Sequence, residues 1–129
     1  PETRQLLRER LTDMAENTAR AYGCTAQVVF RPSYPALINC DEVVDAVKET
    51  ACQVLGRDHV TEEREPDLGT EDFSYFAQER PSCFWHLGCA DFAGGIDADL
   101  HNCRFDIDEK CLAAGVKVQV LSALKLLEK

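Results

Sequence analysis

The sequence predicts an α/β chain, on three observations. Long amphipathic helix patterns stand at both ends, at residues 4–22 and 108–127. Short apolar or alternating segments suited to strands, TAQVVF and SCFWHLG, lie between them, and the elements alternate in the order α, β, break, α, β, α, β, α. Such an order is expected to give a partial sheet with the later helices packed on it.

In the first helix, Leu7, Leu11, Met14, Thr18 and Tyr22 recur at three- and four-residue spacings, and Gly23 ends the run. Ala26, Val28 and Phe30 then alternate with Gln27, Val29 and Arg31, the period of a strand with one better-buried face. Pro32 and Pro35 enclose Ser33 and Tyr34 in an extended connector, the strongest boundary signal in the chain. Asn39, followed by Asp41 and Glu42, reads as an N-cap with acids at the positive end of a helix dipole. Val43, Val44, Val47, Cys52, Val54 and Leu55 carry that helix to Gly56. A short strand is expected at His59–Thr61, then a charged loop, EEREPDLG. Thr70, Glu71 and Asp72 open a short helix with Phe73, Tyr75 and Phe76 on it, and Pro81 ends it. SCFWHLG reads as a buried strand, and CADFAGGIDAD as a mobile loop. The last helix, Asp108 to Leu127, puts Leu112, Val116, Val120, Leu124 and Leu127 in one line.

Composition narrows the function. The 129 residues suit one folded body, for which surface scaling gives roughly 6,800 Å² folded against about 21,000 Å² unfolded, about two thirds buried. Fourteen Lys and Arg against 23 Asp and Glu leave a net charge of −9, which repels phosphate backbones and anionic lipid; no nucleic acid and no membrane partner is expected. No apolar run approaches the ~18 residues that span a bilayer. Seven cysteines form no C-x-x-C pair, and an odd number cannot all close into internal disulfides, so they read as reduced thiols in a cytoplasmic protein. The sequence opens on Pro1 rather than Met, which points to processing or to a piece of a longer chain.

No phosphate loop, HExxH, zinc-finger spacing or nucleophile elbow is present. What remains are polar residues at element ends: Glu71 and Asp72 at a helix start, and His101 with Asn102, Cys103 and Arg104 after the glycine loop. Acids in a first helical turn ordinarily complement the dipole, and an isolated histidine is more often structural than a ligand.

Taken together and in order, GTEDFSYF, FWHLG, the glycine loop and LHNCRFD before a long terminal helix resemble the C-terminal part of the metal-dependent aminoacylase and carboxypeptidase superfamily. The branch they resemble is that of hippurate hydrolases and indole-acetyl-amino-acid amidohydrolases. YPALINCDEVVDAVKETACQVLG is similar to that family's re-entry from its lid domain into its catalytic domain. The resemblance implies that residues 1–33 are the last helix and strand of a lid/dimerisation domain, and residues 34–129 the last part of a catalytic domain. It also implies hydrolysis of N-acyl or N-aroyl amino acids, small-molecule substrates, in a homo-oligomer. The cofactor it implies is a divalent metal, Zn or Mn, in a two-metal site. His101 matches the family's C-terminal metal ligand, and Glu71 and Asp72 match a Glu-Asp segment near the site, where a positioning role is expected. The other ligands and the catalytic carboxylate precede this region in the family, so the chain alone is expected to be inactive.

Two departures stand out. Asn102 and Cys103 replace small and proline residues, so a looser loop after His101 is expected, with a thiol near enough to alter metal preference. His86 replaces an apolar residue and reads as a packing side chain. The rival readings are a noncatalytic α/β self-association module, in which residues 1–31 supply an edge, and a Cys/His metal-storage or redox protein.

Overall fold

The computed structural model describes residues 2–31, 33–63 and 65–128. Pro32, expected with Pro35 to form the connector, and Arg64 of the charged loop lie outside the described residues. The chain divides into two compact units, Pro1–Ser33 and Tyr34–Lys129.

The first unit holds helix α1, Glu2–Ala21. Its end follows from glycine's freedom at positive φ: Gly23 takes φ +68°, its N–H donates to the Arg20 carbonyl at 3.0 Å, and the Cys24 N–H donates to the Ala19 carbonyl at 2.8 Å. This pair of bonds satisfies two carbonyls that the helix itself leaves open. Within the same unit the Arg8 guanidinium lies over the Phe30 ring, 5.4 Å from its centroid. Leu6, Leu7, Leu11 and Met14 are exposed, and no residue of α1 is buried.

The second unit is built on α2, Asp41–Leu55, and α4, Lys110–Leu127, which pack together. The buried residues of the two helices are small, Ala46, Thr50 and Ala51 on α2 and Gly115, Val118 and Ser122 on α4, with Gly115 against the Leu87 side chain. Small side chains let two helix axes approach closely, and the Thr50 hydroxyl satisfies itself on the Ala46 carbonyl at 2.9 Å. An ion pair, Lys125 Nζ to Glu49 Oε2 at 2.5 Å, closes one flank. Between the two helices along the chain come a 3₁₀ turn, Arg57–His59, and the short helix α3, Phe73–Glu79.

The expected α/β fold is not what the structure shows: among the described residues there is no strand and no sheet. TAQVVF and SCFWHLG carry no regular secondary structure, the segment expected as a strand at His59–Thr61 begins as the end of the 3₁₀ turn, and the one β-type contact is an isolated bridge between Asp91 and Ile96. The reason is physical. A period-two pattern describes one face of a strand, but strand hydrogen bonds need a second backbone, and none of the described segments supplies one in register.

The SCFWHLG segment is instead held by a side chain. Asn39 donates from Nδ2 to the Phe84 carbonyl at 2.9 Å and accepts the Phe84 N–H on Oδ1 at 2.8 Å, so one amide pairs both backbone groups of a residue 45 positions away. The Cys40 N–H donates to the Ser82 carbonyl at 2.8 Å beside it. Asn39 was expected to cap α2; the residue before the helix is Cys40, in an extended conformation and with no side-chain cap.

Burial also departs from expectation. The row Leu112, Val116, Val120, Leu124 and Leu127, expected to cover a sheet, is at least half exposed, while the opposite face of α4 meets α2. No helix of the described residues is long and apolar enough to cross a membrane.

Candidate functional site

His101 sits in a pair of consecutive turns between the glycine loop and α4. The Asn102 N–H donates to the Asp99 carbonyl at 3.1 Å, making Leu100 and His101 the two central residues of a tight turn. In that turn His101 takes φ +66°, the only non-glycine residue with positive φ among those described. A turn with positive φ at its third residue ordinarily takes glycine or asparagine there, because a β-carbon meets the neighbouring carbonyl. The next turn starts on Asn102: its carbonyl accepts the Phe105 N–H at 3.0 Å, and its Oδ1 accepts the Arg104 N–H at 2.9 Å. Asn102 was expected to loosen this loop; it closes it, because an asparagine side chain can stand in for a backbone acceptor.

The His101 side chain is exposed, and no hydrogen bond engages its imidazole among the described residues. Cys103 is exposed as well, as a free thiol. Upstream, the expected mobile loop is cross-linked at its base: Asp91 and Ile96 exchange both backbone hydrogen bonds at 2.9 Å, and Asp91 Oδ1 accepts the Gly94 N–H at 3.0 Å. A β-carbon at Gly94 would stand 2.6 Å from Asp91 Oδ2, so a larger residue there would push aside the carboxylate that accepts the Gly94 N–H. The Asp108 N–H then donates to the Cys89 carbonyl at 2.8 Å, closing the segment that carries His101 at its two ends.

Glu71 and Asp72 lie just before α3, which starts at Phe73 rather than at Thr70. Both side chains are exposed, and neither is engaged by a hydrogen bond among the described residues. Their backbone does structural work: the Glu71 carbonyl accepts the N–H and the hydroxyl of the fully buried Ser74 at 3.2 and 2.6 Å, and the Asp72 carbonyl accepts the Tyr75 N–H at 3.0 Å. Beside α3 lies an open groove of about 460 Å³ lined by Phe73, Tyr75, Phe76, Glu79, Arg80 and Ser82. Aromatic contacts continue from it: Phe73 meets Phe84 at 5.6 Å, and Phe84 meets the His86 ring edge-on at 5.4 Å. His86 thus touches an aromatic neighbour while remaining exposed, outside any strand.

Among the described residues no three His, Cys, Asp or Glu side chains come together as a cation site. Glu71, Asp72 and His101 are therefore not assembled into one donor set. Sequence reasoning assigned no role to the Asn39 amide across to Phe84 and misjudged Asn102; the His-Asn pair following a glycine loop was the available signal for the turn.

Residues 8–125 match peptidase family M20/M25/M40. The chain belongs to this family. Similar proteins include thermostable carboxypeptidases 1 and 2 of Saccharolobus solfataricus, each 35% identical over 84% of this chain and 27% of the relative. IAA-amino acid hydrolase ILR1-like 2 of Arabidopsis thaliana is 29% identical over 95% of this chain and 28% of its own length. Hippurate hydrolase of Campylobacter jejuni is 26% identical over 98% of this chain and 32% of its own. This M20 chain thus spans between a quarter and a third of the length of these relatives. No solved structure matches it.

Proposed function

We propose that these residues serve as the C-terminal part of a metal-dependent hydrolase that cleaves the amide bond of N-acyl or N-aroyl amino acids. The observation that carries the reading is the family match over residues 8–125, which includes the turn presenting His101. Relatives named for hippurate and for indole-acetyl amino acids support the substrate class.

The donor chemistry fits one position of a cation site. An exposed imidazole with no competing hydrogen bond is a suitable nitrogen donor for Zn²⁺ or Mn²⁺. A stable site needs three or four donors in fixed geometry, and the described residues group no such set, so His101 is one contributor among several. A divalent cation, or a pair, would when bound polarise the amide carbonyl and lower the pKa of the attacking water. In this reading His101 holds its nitrogen toward the cation, Glu71 and Asp72 orient neighbouring groups by hydrogen bonding, and the general base comes from a preceding part of the fold. Residues 1–33 take the role of the lid and dimerisation domain and residues 34–129 that of the catalytic domain, in a homo-oligomer. Seven free thiols are consistent with a reducing cytoplasm.

The test is hydrolysis of N-acetyl and N-benzoyl amino acids with Mn²⁺ or Zn²⁺. The 129-residue chain alone is expected to give no turnover, and the complete polypeptide carrying it to be active and to lose bound metal and activity together on His101→Ala. Robust turnover by the isolated chain, or full metal content after His101→Ala, refutes the reading.

A further inference from the structure

We propose that Asn102 is a positioning residue that holds His101 in its left-handed conformation and so fixes the direction of the imidazole; this rests on the reading of His101 as a ligand. Residue 101 is the outlier of this segment. A residue with a β-carbon at φ +66° is strained where glycine would not be, and such strain persists only where surrounding bonds over-determine it.

The bonds that do so converge on one residue. Asn102 donates its N–H back to the Asp99 carbonyl, closing the turn whose third residue is His101. It accepts the Phe105 N–H on its carbonyl and the Arg104 N–H on Oδ1, closing the turn that follows. Two of these three bonds are backbone and survive substitution; the third belongs to the side chain alone. Removing Oδ1 frees the Arg104 N–H and leaves the second turn held by the Phe105 N–H bond alone, which weakens the downstream anchor of residue 101. Retaining a γ-carboxylate keeps the acceptor, so Asn102→Asp should behave as the native residue while Asn102→Ala should not.

The strain itself is read on the 129-residue chain without any metal. His101→Gly should unfold at higher urea than His101→Ala, because only glycine is at ease at this φ. The reverse order shows that residue 101 is not held at positive φ and overturns the proposal. Amide exchange at Arg104 should accelerate several-fold in Asn102→Ala and stay native in Asn102→Asp.

The positioning role is read as zinc affinity of the complete polypeptide, by competition with a chelator. Asn102→Ala should weaken binding roughly 10- to 100-fold, the range for groups that orient a ligand, with the urea midpoint of the protein little changed, and Asn102→Asp should restore it. Native zinc affinity in Asn102→Ala, with Arg104 exchange accelerated, overturns the positioning role and leaves the hydrolase reading standing. If His101→Ala itself leaves zinc binding intact, the ligand reading fails, and the positioning role falls with it.

Discussion

Replacing Asn39 by alanine removes the amide that pairs both backbone groups of Phe84, at 2.9 and 2.8 Å, and provides a quantitative check on how the second unit is held. Each bond contributes about 1 kcal/mol net, and the half-buried Phe84 N–H and C=O regain only part of that from water, so the loss should be about 2 kcal/mol. With a urea slope of about 2 kcal/mol per molar, the midpoint should fall by about 1 M. Trp85, the single tryptophan and the next residue along, makes fluorescence a local probe of the transition. Asn39→Asp keeps the acceptor for the Phe84 N–H and loses the donor, so its midpoint should fall between native and alanine. A shift below about 0.2 M for Asn39→Ala at unchanged slope would show that the amide is dispensable and that another contact holds residues 82–88.

A β-carbon at Gly115 would stand 2.6 Å from Leu87 Cδ2, so Gly115→Val should destabilise by about 1–3 kcal/mol in the same urea assay, whereas Gly115→Ala, with its better helix propensity and one flexible neighbour to move, should be near neutral. Burial holds the Cys83 thiol above its usual range, so the neutral form persists to higher pH; peptide mapping after iodoacetamide should find the exposed Cys24 and Cys103 modified first and Cys83 late, and early labelling of Cys83 contradicts its burial. Asp108 is held below the usual 3.8 first by the Lys110 backbone N–H at 3.1 Å and then by the Lys110 ammonium. Its stabilising contribution is therefore present above the unfolded value and lost as pH falls through the lower folded one. Asp108→Asn should lower the urea midpoint near pH 7 and converge with the native protein in strong acid; a constant gap across that range refutes the assignment.

The helices were legible because their signals are local. Leu7 to Tyr22, Val43 to Leu55 and Leu112 to Leu127 carry the helical period, and Gly23, Gly56 and Pro81 mark three of the ends. The strands were misread because an alternating run such as Ala26–Phe30 records only a face, while pairing depends on a second segment that local pattern does not reveal. The buried side of α4 was misread for a related reason. The large residues Leu112, Val116, Val120 and Leu124 mark the most apolar side, yet the buried residues of α4 are the small Gly115, Val118 and Ser122, and Gly115 lies against Leu87. At the site, His101 was reached through the ordered motifs around it. Its left-handed backbone and the Asn102 acceptor depend on dihedral angles that residue spacing does not encode.

Anomalous diffraction from crystals of the complete polypeptide loaded with zinc tests the central claim most directly. The account predicts a metal peak about 2.0–2.1 Å from one ring nitrogen of His101, with the remaining donors drawn from outside residues 1–129. A fully occupied metal centre with the His101 ring turned away from it would contradict the account.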